Sequence, residues 1–428
     1  MKGHYFQLHR ERVVQILKSQ FPCEASSVKY IGFMSGEQEV EPYTNSELEF
    51  LQEANFYWIS GWDKPSSCIF IDLETCNSFL YIPSRSESDE IWHGKQMTKE
   101  EIIEMTGVTD VVYISEKNSF PDAMVIEETE KLQTQPLYIS CCLARVEKFD
   151  HEIEQLQKAS EKTGQAIIKV MKKCKPGLME YDIESMFKYY GARLGCKYVS
   201  FQTIVGSGMN SVFLHYSENK KRIENGDLVL LDCGLFENHY AGDVTRTFPA
   251  NGKFSHDQKI VYNLLLQKQK ELIELVRPGR TFGELNSELV LKIYDILVEL
   301  KIVPNTPFLT KKSDISKLFC PHSLSHHIGC NVHDLSIIGN SCKWAKEFHT
   351  LKSGMIISIE PGIYFNKFMF EKALKKFHEL DSEKVMRYCD SVGGIRIEDD
   401  VLVTENGFKV LSSNCPKTIE EIEEIMKK

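Results

Sequence analysis

Apolar and polar residues alternate in short runs over the first 145 or so positions. Residues 28–34 (VKYIGFM), 55–60 (NFYWIS), 68–73 (CIFIDL), 78–83 (SFLYIP), 111–115 (VVYIS) and 136–142 (PLYISCC) predict strands. The four residues Glu74-Thr75-Cys76-Asn77 separate two of these runs and predict a hairpin. Residues 98–105 carry a helical pattern, with Thr98 as N-cap and Glu101 three positions on, the spacing of a capping box. The segment reads as a mixed α/β domain with no evident catalytic constellation.

After Asp150 the period changes. Ile153, Leu156, Ala159, Thr163, Ile167, Val170 and Met171 recur at three- and four-residue steps, which predicts a long amphipathic helix. Lys175-Pro176-Gly177 ends it. A second helix, from Ser255 to Val276, stops at Arg277-Pro278-Gly279. Each stop is followed at equal distance by a similar tetrad, Asp182-Ile183-Glu184-Ser185 and Glu284-Leu285-Asn286-Ser287. Two matched helix–Pro-Gly–helix units imply an internal duplication, with two unrelated helical hairpins as the alternative. Strand-like alternation returns in 355–364 and 394–407. The expected architecture is α+β, with a smaller α/β domain over 1–148 and a larger one over 149–428.

Composition narrows the partners. The 428 residues are 42% hydrophobic and 26% charged, a globular composition, with a formal net charge of −10. No basic block occurs, which argues against nucleic acid or an anionic membrane. No apolar stretch is long enough to span a bilayer, and the first residues lack the apolar core of a signal peptide. Thirteen cysteines with no C-x-x-C spacing predict reduced thiols and a cytoplasmic setting.

Four stretches carry candidate chemistry. In 227–248 two apolar runs flank a polar turn, and a tight hairpin centred on Glu237-Asn238 would set Asp232 opposite Asp243. Two carboxylates that close repel unless cations lie between them, although two surface aspartates on an exposed hairpin would look the same. Residues 321–334 hold four histidines, suited to metal ligation or proton transfer, or else to structural roles. Glu360 ends the apolar run 355–359 and Glu398 alternates with Arg396. Taken singly, these glutamates read equally well as a turn cap and a salt bridge. Taken together, four carboxylates contribute −4 and two divalent ions +4, so the set is near neutral only with metal. An oxygen-rich set with one nitrogen suits Mn²⁺, with Co²⁺ or Zn²⁺ as alternatives.

The stretches 204–216, 225–234, 242–255, 321–334, 353–365 and 393–407 resemble the pita-bread metallopeptidases, and among them most closely the Xaa-Pro dipeptidases (prolidases). IWHGK (91–95) is similar to that family's N-terminal domain. The resemblance covers nearly the whole chain and implies a duplicated αβ catalytic domain. It implies two Mn²⁺ per subunit held by Asp232, Asp243, His326, Glu360 and Glu398. It implies catalytic roles for Glu360, His333 and His322, and substrate contacts by His215, Arg396, Phe201, Lys346 and Trp92, the last from a homodimer partner. The expected reaction is two-metal hydrolysis of the bond preceding proline in Xaa-Pro dipeptides, with aminopeptidase P action on longer Xaa-Pro peptides as the alternative. Departures are also legible. Ser323 and Ser325 replace glycines of the family pattern, which predicts strain if those positions need positive φ. His327 neighbours the expected ligand, and strand alternation sends it to the opposite face. Lys346 stands where a carboxylate-gripping arginine is usual, and Phe201 where a tyrosine is usual.

Overall fold

The computed structural model describes residues 2–44, 46–116, 120–126, 135–305, 312–335 and 343–427. They group into two units, one of residues 2–146 with 343–348, the other of residues 147–335 with 349–427.

The first unit is built on a five-stranded mixed sheet: β1 (Tyr30–Met34), β2 (Cys68–Asp72), β3 (Ser78–Ile82), β4 (Asp110–Tyr113) and β5 (Ala123–Val125), in the order β4-β3-β2-β1-β5. β1–β2 and β2–β3 pair antiparallel, while β3–β4 and β1–β5 pair parallel. The β2–β3 hairpin closes through Asp72, whose Oδ1 accepts from the backbone N–H groups of Glu74 and Thr75. One sheet face buries Cys68, Phe70, Tyr81 and Val112. Helix Lys99–Thr106 begins in the expected capping box of Thr98 and Glu101.

Two expected strands are helices. Residues 55–60 lie in helix Ala54–Ser60, where the Glu53 carboxylate accepts from the N–H groups of Asn55 and Phe56, and Gly61 closes the end at φ 71°. Residues 136–142 lie in helix Pro136–Val146, which has proline at its first position and nine buried side chains. A short apolar run buried all round fits either period, so the end signals decide it: a capping acid and C-terminal glycine in one case, an opening proline in the other. The run 111–115 is divided, with β4 ending at Tyr113 and a 3₁₀ turn over Ile114–Glu116.

The second unit carries the duplication in its backbone. Helices Asp150–Lys173 and Glu180–Arg193 form one pair, and His256–Ile273 and Phe282–Glu299 the other. The first buries Leu156, Ala159, Thr163, Ile167, Val170 and Met171, the face read from the sequence. Both Pro-Gly stops make the same exchange with a later strand-like segment. Gly177 N–H donates to the Ile223 carbonyl and Ile223 N–H to that of Leu178; Gly279 N–H donates to Leu351 and Leu351 N–H to Arg280. The two glycines sit at φ 94° and 86°.

The strands of this unit are β6 (Ile204–Ser207), β7 (Leu228–Cys233), β8 (Phe236–Glu237), β9 (Tyr240–Ala241), β10 (Val244–Pro249), β11 (Ile356–Ile359), β12 (Gly362–Tyr364), β13 (Gly394–Arg396), β14 (Asp399–Thr404) and β15 (Gly407–Val410). They form three-stranded antiparallel sheets β10-β7-β6 and β11-β14-β15, and the ribbons β12-β13 and β8-β9. The β8–β9 hairpin corrects the expected register. It turns on Asn238 and His239, both at positive φ (48° and 64°), the conformation of a two-residue I′ turn. Asp232 therefore faces Thr245, and Cys233 faces Val244, leaving Asp243 just outside the ladder. Beneath these strands Arg246 and Asp399, both fully buried, form an ion pair at 2.8 Å.

Replacing Gly177 or Gly279 by valine forces a β-branched residue into left-handed backbone, an expected loss of roughly 1–2 kcal/mol per site. Thermal melting of the two single variants checks this, and similar losses at both are the expected result.

Candidate metal centre

Every expected metal ligand stands at or beside the end of a strand in the second unit. Asp232 is next to last in β7, Asp243 precedes β10, Glu360 follows β11, and Glu398 lies between β13 and β14. His326 comes from a segment that runs along the edge of β11. Its N–H donates to the Ser358 hydroxyl at 3.0 Å, Ser358 N–H returns to the His326 carbonyl at 2.9 Å, and Glu360 N–H donates to the Leu324 carbonyl at 3.0 Å. Glu398 is tied to β10 by its N–H, which donates to the Thr245 carbonyl at 3.1 Å, and by its carboxylate, which accepts from the Thr245 hydroxyl at 2.6 Å.

These placements make side chains distant in sequence converge. Ligand atoms of Asp243, His326 and Glu398 all lie within 4.8 Å of one another. His326 Nε2 is 3.4 Å from Asp243 Oδ2 and 3.5 Å from Glu360 Oε1. The His326 Nδ1–H donates to the His327 carbonyl at 3.0 Å, so the Nε2 lone pair faces the carboxylates. Asp232 accepts from Arg396 Nη2 at 2.5 Å through Oδ2, while its Oδ1 is buried with no hydrogen-bond partner.

The electrostatics follow from this crowding. Burial, then the charge of Glu398, raises the carboxyls of Asp243 and Glu360 well above their ordinary range. Burial, then Asp232, lifts Glu398 to about 7. Acceptor groups face acceptor groups, and a buried carboxylate oxygen is left without a donor. That chemistry fits divalent cations, which replace the missing donors and reverse the cost of gathering negative charge.

The cluster opens on a cavity of about 690 Å³ in the same unit, also lined by Phe201, His215, His322, His333 and Arg396. His322 donates from Nδ1 to the Ser323 carbonyl (2.8 Å) and accepts at Nε2 from the Tyr364 hydroxyl (2.9 Å). Burial and the neighbouring Arg396 lower His322 to about 4. Burial and His326 lower His333, whose ring lies 4.3 Å from that of His326, to about 4. Both imidazoles are neutral near pH 7. The Arg396 guanidinium is buried and donates to Asp232, to the Tyr364 hydroxyl (2.8 Å) and to the Thr245 hydroxyl (3.2 Å).

Trp92 and Lys346 belong to the first unit. Trp92 is 81% exposed on helix Glu87–His93, and Lys346 is exposed on helix Ala345–His349. Ser323 and Ser325 have no positive φ, so the strain foreseen there does not arise. His327 turns away from the cluster and packs edge-on against Phe282 with ring centres 4.9 Å apart.

Tyr364, Thr245 and Asp400 also shape the site, although no sequence motif marks them. Tyr364 joins Arg396 to His322, and Asp400 accepts the backbone N–H of Asp243 at 3.1 Å. Alternation along β12 was the available signal for Tyr364. It puts Gly362 and Tyr364 on one face, and Gly362 pairs with Arg396. A Cβ on Gly362 would fall 2.3 Å from the Tyr364 hydroxyl, so glycine is required there.

A donor set of this kind, at the strand ends of a duplicated domain, defines a metal-dependent class of protein. The chain belongs to metallopeptidase family M24, whose model matches residues 154–405, and the model of the aminopeptidase P N-terminal domain matches residues 6–132. A dinuclear metal site is typical of that family, and the fold of the second unit is its pita-bread fold. The chain is 30% identical to the Xaa-Pro dipeptidase of Homo sapiens, over 98% of this chain and 93% of that protein. It is 31% identical to the Xaa-Pro aminopeptidase of Escherichia coli, over 91% of each. Among solved structures it superposes on aminopeptidase P from E. coli with the inhibitor Pro-Leu at TM-score 0.82 and 28% identity, covering 100% of this chain and 98% of that one. Proline aminopeptidase P II from Yersinia pestis gives TM-score 0.82 at 26% identity, covering 100% and 99%.

The raised carboxyls give a pH signature. Glu398 lies at about 7 folded against 4.5 ordinarily, so the fold holds its proton more tightly. That contribution is complete below 4.5 and is lost as pH rises through 7, with Asp243 and Glu360 acting in the same direction. Metal-stripped protein is expected to melt at lower temperature at pH 8.5 than at pH 7, where the histidines are largely neutral folded or unfolded (roughly pKa 6.5 in free chains). A divalent cation should close the gap. Melting curves at the two pH values, with chelator and with Mn²⁺, check it.

Proposed function

We propose that this chain is a peptidase that cleaves the bond preceding proline, with Asp232, Asp243, His326, Glu360 and Glu398 holding two divalent cations, Mn²⁺ being the best match to the donors. The observation that carries the reading is the acceptor-only cluster, with the buried Asp232 Oδ1 lacking a donor, at the wall of a peptide-sized cavity. Bound there, the ions would supply an activated water and a Lewis acid for the scissile carbonyl. Glu360, whose carboxyl is held high by burial, is suited to take a proton and return it to the leaving nitrogen. Neutral His333 can donate to the carbonyl oxygen as charge develops. His322, oriented by Tyr364, presents a second neutral imidazole to the cavity. Phe201 and His215 would bound the proline ring. Arg396 is better read as the residue that orients Asp232 than as a substrate contact, because its donors go to Asp232, Tyr364 and Thr245.

The relatives divide between Xaa-Pro dipeptidases and Xaa-Pro aminopeptidases. A dipeptide presents its carboxylate one residue from the cut and calls for a cation. Among the described residues lining the cavity, Arg396 is the one arginine or lysine, and it is engaged with Asp232. Lys346, which in the dipeptide reading would grip that carboxylate, keeps an arginine's charge but gives up its two-pronged hydrogen bond, which favours longer peptides with proline second. We further propose a homodimer, with Trp92 at the partner's site, a division of domains near residue 148, and a cytoplasmic setting. The setting is supported by buried cysteines such as Cys68, Cys141, Cys233 and Cys415, which stand as thiols. Among the described residues no helix is long and apolar enough to cross a membrane.

With Mn²⁺ supplied, an Xaa-Pro-Yaa tripeptide is expected to be cleaved with higher kcat/KM than the matching Xaa-Pro dipeptide. The reverse order would restore the dipeptidase reading, and no cleavage of either would remove the peptidase reading. Asp243→Asn is expected to lose activity while keeping its circular-dichroism spectrum; full activity would refute its place among the ligands.

A further inference from the structure

Outside the metal cluster, Glu180 is a fully buried carboxylate, 0% exposed, at the first position of helix Glu180–Arg193. It accepts from five donors, all on the segment 207–221. They are Ser207 N–H at 2.8 Å, the Ser207 hydroxyl at 2.7 Å, Asn210 Nδ2 at 3.1 Å, the Tyr216 hydroxyl at 2.8 Å and Lys221 N–H at 2.9 Å. Its own backbone N–H donates to the Lys221 carbonyl at 2.9 Å. A helix N-terminus favours a negative side chain, but one or two such bonds satisfy that preference. Five donors gathered from one loop do something more: they fix the loop's path.

That loop is a wall with two faces. Leu214, His215 and Ser217 line the catalytic cavity, and the same three, with Phe213 and Tyr216, line a neighbouring groove of about 980 Å³. Tyr216, anchored on Glu180, is the residue next to His215. On its other side the loop is tied to β13, where Gly394 N–H donates to the Ser211 hydroxyl at 2.7 Å. No proposed metal ligand lies on the segment.

We propose that Glu180 is a positioning residue for substrate binding. It clamps 207–221 so that His215 meets the bound peptide, without itself touching substrate. This rests on the peptidase reading above. In Glu180→Gln an amide NH₂ would replace one oxygen and face donors, whichever way it turned. Tyr216→Phe removes a single donor and leaves the carboxylate four.

The test measures KM and kcat for an Xaa-Pro-Yaa peptide, per bound Mn²⁺, together with melting temperature. Glu180→Gln is expected to raise KM about tenfold, with kcat held to within about threefold, and Tyr216→Phe to raise KM by roughly two- to fourfold. A merely structural role would lower melting temperature and the active fraction without moving KM. Unchanged KM in both variants overturns the proposal, and if Glu180→Gln does not fold, Tyr216→Phe alone decides it. Unaltered protein that cleaves no Xaa-Pro peptide would instead bring down the peptidase reading, and this proposal with it.

Discussion

Mutual repulsion among carboxylates gathered in a buried wall is the constraint around which the second unit is organised. Asp243, Glu360 and Glu398 each have raised proton affinity, and in each case burial comes first and a neighbouring carboxylate next. Such a cluster needs rigid backbone to hold it and a positive partner to neutralise it. The first comes from strand ends bound to one another, Glu398 to Thr245 and His326 to Ser358. The second is met only in part by protein. Arg396 serves Asp232, and Arg246 serves Asp399 below the cluster, holding that carboxyl well below its ordinary range. The contrast between Asp399 and its neighbours is informative. Asp399 has Arg246, Lys417, Gln269 and Ser412 around it and is a structural anchor. The ligand candidates have no such set of donors.

The hydrogen-bond chain from Arg396 through Tyr364 to His322 extends this order into the cavity. One guanidinium orients a candidate ligand, a tyrosine hydroxyl and, through it, a neutral imidazole. Burial keeps His322 and His333 uncharged near neutrality. An uncharged imidazole such as that of His333 suits a reaction in which charge develops on a carbonyl oxygen, whereas both ring nitrogens of His322 are taken by Ser323 and Tyr364. Glu180, through five hydrogen bonds to the segment 207–221, holds a loop of the same cavity in place as strand pairing holds the candidate ligands.

Much of this was legible in sequence because its causes are local. The Thr98 capping box, the buried face of Asp150–Lys173 and the paired Pro-Gly stops depend on residues a few positions apart. Residues 55–60 and 136–142 were misread because short, wholly buried apolar runs carry no period. Glu53, Gly61 and Pro136 held the answer at their ends. The β8–β9 register was missed by the placement of one turn: Asn238 and His239, not Glu237 and Asn238, take the positive φ values. The expected strain at Ser323 and Ser325 failed for the converse reason, since the backbone there needs no left-handed conformation.

Sequence by itself determined the class of chemistry: four acids and a histidine in strand-end motifs, in an order that resembles one family of metallopeptidases. It also pointed to the duplication through two matched helix stops, which the equivalent hydrogen-bond exchanges at Gly177 and Gly279 then carried into the backbone. Tertiary structure alone decided which acceptors face one another, that Arg396 is engaged by Asp232, Tyr364 and Thr245, that Lys346 and Trp92 sit in the other unit, and that Glu180 grips the loop of His215. The reason is distance along the chain. Caps and periods are set by neighbours, whereas the neutrality of a histidine or the pairing of a guanidinium is set by residues as far away as Asp232 is from Arg396.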